Sequence, residues 1–433
     1  MRSLESRGFG GILADDMGLG KTLQALALAL SAPPPDGEGP VLVVCPTSLV
    51  ANWAAEVRRF APGFDSVTVY GTATERAEAI EELKDSALGI TSYDSLKRDL
   101  PYYQSIRFRA VIADEAQYIK NRTTQAAAAV KALKARVKFA MTGTPVENSP
   151  AELWSIFDYL MPGYLGRYVD FRRLTEQPIA DGDKKALLRL RRQTAPFILR
   201  RVKRDVLTEL PEKTESVLYT RLSGEQKKAY AAVSAALIAE LREKLLSGEP
   251  EANFRFDVLT MLLRLRQICC HPPLCLGESY SGESAKLELC MDLLDSLKSG
   301  GHRVLLFSQF TSMLDVLAQR LTLTGKTPVA ERLELVRRFN SGEGFVFLIS
   351  LKAGGTGLNL TGADTVIHYD PWWNMAAKNQ ATDRAHRIGQ EHHVHVWRLI
   401  AEDTIEQKIA ELQEKKAGLA AALIDGSDGS AAR

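Results

Sequence analysis

Asp15-Asp16-Met17-Gly18-Leu19-Gly20-Lys21-Thr22 follows the apolar run Gly11-Ile12-Leu13-Ala14 and opens a helical pattern from Lys21 to Leu30. A strand-length apolar run, a glycine-bearing loop and a helix, in that order, let backbone N–H groups converge on a phosphate chain. Gly18 and Gly20 permit the close approach, with Asp16, Met17 and Leu19 completing the cradle. The Lys21 ammonium suits the β and γ phosphates of a nucleotide, and the Thr22 hydroxyl suits Mg²⁺. The general phosphate-loop pattern has glycine five positions before Gly20, where this chain has Asp15. The strict pattern is therefore missed, while the G-x-G-K-T core and its context are intact. The rival reading is a glycine-rich turn with an incidental lysine.

Outward from the loop, short apolar runs alternate with helical patterns. The runs are Gly11–Ala14, Val41–Val44, Val67–Tyr70, Ala110–Ala113 and Val137–Met141, with helices such as Lys21–Leu30 and Thr123–Leu133 between them. That alternation predicts βαβ units and a parallel sheet, with ligands at the edge where the strands end. The same grammar returns after residue 284, with strands expected at Arg303–Phe307, Phe345–Ile349, Thr365–Tyr369 and Val394–Leu399. Helices are expected there at Lys286–Leu297, Met313–Leu321, Ala330–Phe339 and Thr404–Glu414. Between 161 and 283 no strand pattern is visible, and Gln226–Leu246 and Val258–Ile268 read as helices. The fold class is α/β: a first lobe at 1–160, a helical insert and linker at 161–283, a second lobe at 284–417 and a flexible tail at 418–433. Near Leu321 a helix pattern runs into Leu321-Thr322-Leu323-Thr324-Gly325 with no turn residue. Either a strand is absent there or a few residues are missing.

The chain has 433 residues, with 55 Lys plus Arg against 53 Asp plus Glu, so the formal net charge is +2. Such a balance excludes a globally basic coat protein and leaves room for a local basic face. One candidate is Lys184, Lys185, Arg189, Arg191, Arg192, Arg200, Arg201, Lys203 and Arg204, a stretch without an acid. It reads as a polyanion-binding surface, or as a solvated helix whose acids come from elsewhere in the fold. No apolar run approaches the ~20 residues of a membrane helix, and the opening residues do not read as a secretory signal. The five cysteines are an odd number, which argues against a disulfide framework and for a reducing cytosol. Cys269, Cys270, His271 and Cys275 read as a packed helix end rather than a zinc site, since adjacent cysteines chelate one ion poorly.

Two further blocks carry chemistry. Asp114-Glu115-Ala116-Gln117 stands at the end of the run Ala110–Ala113. An acid at a buried strand tip can hold Mg²⁺, and the next carboxylate can orient and deprotonate an attacking water. In the second lobe, Gln380-Ala381-Thr382-Asp383-Arg384-Ala385-His386-Arg387-Ile388-Gly389-Gln390 puts Arg384 and Arg387 three apart, on one face of an expected helix. From spacing alone they are either phosphate-directed arginines or members of a solvated face.

These blocks, in this order, resemble the Swi/Snf (sucrose-non-fermenting) family of superfamily-two helicase-like DNA-dependent ATPases, and its bacterial members in particular. The resemblance runs through Asp15–Thr22, Cys45–Trp53, Asp114–Asn121, Met141–Asn148, Val304–Asp315, Ser350–Asn374 and Gln380–Gln390. The insert matches too, at Pro196–Val206, Leu210–Glu215 and Leu263–Pro272. The family has aspartate where Asp15 stands.

The resemblance implies two RecA-like lobes that bind ATP–Mg²⁺, with Lys21, Asp114, Glu115, Arg384 and Arg387 as catalytic residues. Thr22 and Asp114 would hold the metal, and Gly355, Gly357 and Gln380 would border the nucleotide from lobe two. Thr142, Gly143 and Thr144 would couple the nucleotide to lobe movement. Pro46, Thr47, Ser48, Trp53, Ser308, Gln309, Thr356, Trp372 and Trp373 would contact nucleic acid, with packing as the rival role for the two tryptophans. The implied activity is ATP-driven translocation on double-stranded DNA that remodels protein–DNA complexes. RNA polymerase or another DNA-bound protein would be the cargo, and the chain would be a cytoplasmic, nucleoid-associated monomer. Rival readings are a strand-separating helicase, an ATPase that recycles RNA polymerase and a hydrolysis-defective DNA-binding fragment. The last arises because the family's upstream adenine-reading glutamine has no counterpart before the first strand.

Overall fold

The computed structural model describes residues 1–31, 39–143, 149–206, 211, 213–246, 251–321, 332–350, 360–372, 375–387 and 390–424. The chain divides into two compact units, residues 1–208 with 416–433, and residues 209–415.

In the first unit, β1 (Gly11–Leu13), β2 (Val41–Cys45), β3 (Ser66–Thr68), β4 (Leu88–Ser92), β5 (Arg107–Asp114), β6 (Lys134–Met141) and β7 (Ile198–Leu199) form one sheet. Its order is β3-β4-β2-β5-β6-β1-β7. Every pairing in it is parallel. Helices cover both faces, so the central strands are buried on both sides and read as unbroken apolar runs. All five residues of β2 are buried, as are the last seven of β5. One core packs Leu42, Val44, Phe108 and Val111 against Ile156, Phe157 and Tyr159. The other packs Val41, Val43, Ile112 and Phe139 against Leu26, Trp53 and Val57.

The register decides where the chemistry falls. Leu13 of β1, Met141 of β6 and Asp114 of β5 lie level across three neighbouring strands. The loop after β1, Thr142 after β6 and Glu115 after β5 therefore leave the sheet at one edge, side by side.

In the second unit, β8 (Lys213–Thr220), β9 (Val304–Ser308), β10 (Val346–Ser350), β11 (Thr365–His368) and β12 (Val394–Ala401) form a sheet of order β10-β9-β11-β12-β8. It too is parallel throughout. Among the described residues, no helix is long and apolar enough to cross a membrane.

Three expectations need correction. The segment 161–283 is not free of strands: β7 joins the first sheet, and β8 lies beside β12 over eight residues. β8 is an edge strand, exposed or half-buried throughout, so it lacks the apolar run that betrays central strands. The unit boundary consequently falls at 208/209, inside the expected insert. Last, the helix from Ile405 continues to Ile424, well past Gly418. Residues 322–331, where a strand or its loss was expected, lie outside the described residues.

Candidate nucleotide site and its supports

Gly18 and Gly20 adopt φ of 88° and 72°. L side chains are strained in that left-handed region, so the loop shape calls for glycine at both positions. Gly20 caps the N-terminus of the helix Lys21–Leu30, whose first N–H groups and dipole favour an anion. The Lys21 ammonium donates to the carbonyls of Asp15 (2.7 Å) and Asp16 (3.2 Å), which holds it over the loop. Thr22 follows on the helix, half-buried.

Asp15 is fully buried, and its carboxylate spans the structure rather than leaving a gap in the pattern. It accepts from the Arg201 backbone N–H (3.0 Å), from Arg201 Nε (3.1 Å) and Nη2 (2.5 Å), and from Gln24 Nε2 (3.1 Å). Asp16 accepts from the Lys203 N–H at 3.1 Å, and Arg200 lies 3.9 Å from its other oxygen. The basic run thus splits in two. Lys184, Lys185, Arg189 and Arg192 are exposed on the helix Lys184–Thr194, while Arg200 and Arg201 find their acids beside the phosphate loop, where Lys203 adds its backbone N–H.

Asp114 ends β5 and is nearly buried. Trp53 Nε1 donates to its Oδ2 at 2.8 Å, and the Glu115 N–H donates to its Oδ1 at 2.9 Å. Burial pushes its carboxyl up to about 7, and the neighbouring Glu115 charge adds to this. The Trp53 and Glu115 hydrogen bonds and the Lys21 charge pull the other way. Glu115 sits at φ 50°, ψ 56°, a left-handed conformation uncommon for its residue type and held by the tight turn off β5. Gln117 Nε2 donates to Glu115 Oε2 at 2.8 Å, and Thr142 Oγ1 donates to Gln117 Oε1 at 3.0 Å. A hydrogen-bonded chain therefore runs from the acid pair to the loop after β6. Gly143 continues that loop, with room for a Cβ only in van der Waals contact with Met17 at 3.4 Å. The residues present fit a nucleotide polyphosphate with its cation. They offer a left-handed glycine loop at a helix N-terminus, a lysine over it and a nearly buried acid level with it.

Trp53 does not face a ligand groove. The helix Val50–Phe60 packs on the sheet through Val50, Trp53 and Val57, and Trp53 is 1% exposed. Its expected nucleic-acid contact is corrected to a support for Asp114. Trp53→Phe keeps most of the ring and removes the donor, leaving one buried carboxylate oxygen unsatisfied. The expected cost is ~1–3 kcal/mol in urea unfolding, together with a rise in the pH at which Asp114 ionises. Pro46 is also buried, whereas Thr47 and Ser48 are exposed, with Thr47 Oγ1 donating to Asp94 at 3.2 Å.

In the second unit, the helix Met375–Thr382 ends before either arginine. Arg384 and Arg387 thus lie in the turn beyond it, the first buried and the second half-buried, rather than on one helix face. The turn is pinned by Gln390, whose Nε2 donates to the carbonyls of Thr361 (3.2 Å), Ala363 (2.7 Å) and Ala385 (3.0 Å). Gln380 is half-buried on the helix. Gly355, Thr356, Gly357, Trp373 and Thr144 lie outside the described residues. Trp372 is half-buried against the apolar cluster around Leu360 and Val366, which favours its packing role.

Ser308 is fully buried, and its Oγ donates to Asp370 Oδ1 at 2.5 Å, so its expected nucleic-acid contact is corrected to an internal one. Gln309 is half-buried, and its backbone N–H donates to the same carboxylate at 3.2 Å. Burial pushes Asp370 up to about 6, against the Ser308 hydrogen bond and the Arg266 charge 3.7 Å away. The folded unit thus holds this proton more tightly than the unfolded chain. The resulting stability is present near pH 4 and is lost as pH rises through 6, with a ceiling of about 3 kcal/mol. Urea unfolding from pH 4 to 7 should show that slope in the native chain and a flatter one in Asp370→Asn.

Sequence reasoning missed Arg201, Gln24 and the Trp53–Asp114 bond. Pairing across 186 residues leaves no local signal, though the acid-free basic run was the available hint.

A glycine phosphate loop and an acid pair on one edge of a parallel sheet, in a chain with a second parallel-sheet unit, define a P-loop protein with two RecA-like lobes. The SNF2-related domain matches residues 1–274, and the helicase conserved C-terminal domain matches residues 285–389. The chain belongs to the SNF2-related family. It is 38% identical over 429 residues to the uncharacterized ATP-dependent helicase MG018 of Mycoplasma genitalium, covering 96% of this chain and 40% of that protein. It is 39% identical over 431 residues to YwqA of Bacillus subtilis, whose name pairs helicase with translocase, covering 95% and 46%. Human SWI/SNF-related matrix-associated actin-dependent regulator of chromatin subfamily A member 1 is 35% identical over 443 residues, covering 96% and 42%. The chain therefore spans less than half the length of these curated relatives. A solved SWI2/SNF2 ATPase core of Sulfolobus solfataricus, in complex with double-stranded DNA, is 35% identical with a TM-score of 0.49, covering 99% of this chain and 91% of that one.

Proposed function

We propose that this chain is an ATP-driven translocase on double-stranded DNA. The observation that carries the reading is the convergence, at one sheet edge, of the Lys21–Thr22 loop with the hydrogen-bonded series Asp114, Glu115, Gln117 and Thr142. Thr22 and Asp114 would hold Mg²⁺, directly or through water, and the ion would neutralise charge on the departing phosphate. Lys21 holds the β and γ phosphates. Glu115 orients the attacking water and takes its proton. Thr142 is hydrogen-bonded to that assembly through Gln117, so a change at the γ position can reach the loop after β6. Arg384 and Arg387 are assigned to the charge on the transferring phosphoryl group, and Gln380, Gly355 and Gly357 to the nucleotide. Both assignments rest on the family motifs.

Duplex DNA is the partner that membership of this family supports, and names among the relatives speak of helicase, translocase and chromatin regulator. The exposed Thr47 and Ser48, the exposed basic residues of Lys184–Thr194, Gln309 and Thr356 are the proposed backbone contacts. Stepwise movement of one lobe along a backbone would shift a DNA-bound protein, with stalled RNA polymerase as the cargo to assay first. A nucleoid location follows from that role.

The test is phosphate release with and without duplex DNA, beside displacement of a third strand from a triplex. Duplex-stimulated hydrolysis with third-strand displacement and no opening of a forked duplex supports the proposal. Hydrolysis that never displaces the third strand sinks it.

A further inference from the structure

Asp15 and Arg201 tie the phosphate loop to the segment that leads out of the first unit. The segment from Leu199 to Lys203 runs along the loop like a zip. The Ala14 N–H donates to the Leu199 carbonyl (2.7 Å), the Asp16 N–H to the Arg201 carbonyl (3.0 Å) and the Lys203 N–H to Asp16 (3.1 Å). At its centre, Arg201 donates to Asp15 through backbone and guanidinium, and through Nη2 to Gln24 Oε1 at 2.5 Å. Gln24 in turn donates to Asp15 and to the Leu19 carbonyl (3.1 Å each). One guanidinium thereby braces both the entry of the loop, at Asp15, and its far side, at Leu19. A buried carboxylate needs such a partner, and the planar fork of arginine presents Nε and Nη2 together to one carboxylate, a bidentate geometry that a lysine ammonium does not reproduce.

We propose that Arg201 is a positioning residue: it fixes the phosphate loop in its reactive shape from outside the loop, making that shape depend on the register of the segment 198–203. That segment lies within ten residues of the boundary at 208/209. A shift of that segment would therefore reach the loop through the Arg201 side chain as well as through the backbone bonds of Leu199, Arg201 and Lys203. The inference rests on the proposed ATPase reading.

The experiment compares the full chain with Arg201→Gln, Arg201→Lys, Asp15→Asn and the double variant Asp15→Asn/Arg201→Gln. ATP turnover, the KM for ATP and equilibrium binding of a fluorescent ATP analogue are measured, with melting temperature followed in parallel. Arg201→Gln should lower kcat at least tenfold while analogue affinity changes less than threefold. Arg201→Lys should recover only part of the loss. The double variant, which removes the unpaired buried charge, should regain melting temperature but not kcat. A double variant with native kcat would overturn the proposal, because Arg201 would then only neutralise Asp15. So would an Arg201→Gln kcat within twofold of native. Absence of turnover in the native chain itself, matched by Glu115→Gln, would instead remove the ATPase reading beneath it.

Discussion

Glu115→Gln should bind ATP as the native chain does and release phosphate at least a hundredfold more slowly. The amide has the carboxylate's shape, and its oxygen can still accept from Gln117 Nε2, which lies 2.8 Å from the native Oε2. The turn off β5 and its left-handed residue are therefore kept. On the proposed reading, what is lost is the group that takes the proton from water, and a positioned general base contributes about 10²–10⁴ in rate. The loss should appear in kcat and leave nucleotide affinity nearly unchanged. Asp114→Asn should behave differently, because it removes the carboxylate that Trp53 and the Glu115 N–H hold in place. Its loss should appear in Mg²⁺-dependent ATP binding as well as in rate. Steady-state phosphate release with duplex DNA and equilibrium titration with ATP separate the two. A Glu115→Gln rate within threefold of native would remove Glu115 from the chemistry.

That pair of residues was legible in the sequence because the signal is local. An unbroken apolar run followed by Asp-Glu, downstream of a phosphate loop, reads as a buried strand ending in acids, and β5 is that strand. The phosphate loop was legible for the same reason, since its glycines, lysine and threonine are contiguous. Arg384 and Arg387 show the limit of spacing. A three-residue separation places side chains on one face only if the helix continues, and this helix stops at Thr382. Trp53 shows another limit: a tryptophan near a polar motif looks available, but burial is set by the helix face, and Val50 and Val57 share its face.

Strands followed the same rule. Strands made of large apolar side chains, such as β2 and β5, announced themselves as apolar runs. β4 was missed although all five of its residues are buried, because Leu88-Gly89-Ile90-Thr91-Ser92 holds only two large apolar side chains. β8 was missed because an edge strand need not be apolar. Its charged residues are used: Glu215 pairs with Lys213 at 2.7 Å and with Arg398 on neighbouring β12. Sequence periodicity reports runs of large apolar side chains, so it finds an edge strand such as β10 that has one and misses inner β4 and edge β8, which do not.

Lys286→Met should destabilise the second unit by ~3–5 kcal/mol, the cost of leaving a buried charge without its partner. Lys286 and Glu406 are both fully buried and pair directly. Glu406 also accepts from the Ala401 N–H at 3.0 Å, and Lys286 lies 5.7 Å from the Tyr369 ring centre. The Tyr369 hydroxyl donates to the Cys270 carbonyl at 2.8 Å. Three helices, Glu251–Cys270, Ala285–Ser299 and Ile405–Ile424, thus meet at one ion pair behind the second sheet. Methionine can fill the lysine's volume, so the loss would come from Glu406 rather than from a cavity. The double variant Lys286→Met/Glu406→Gln removes the stranded charge and keeps an acceptor for the Ala401 N–H. It should recover most of the lost stability, because two neutral groups in a tight core cost less than one unpaired ion. Hydrogen exchange at the β12 amides, read in both variants, reports this unit separately from the first. Equal protection in the single variant and the native chain would show that the pair contributes nothing net. A double variant no better than the single one would show that packing, not charge, decides the site.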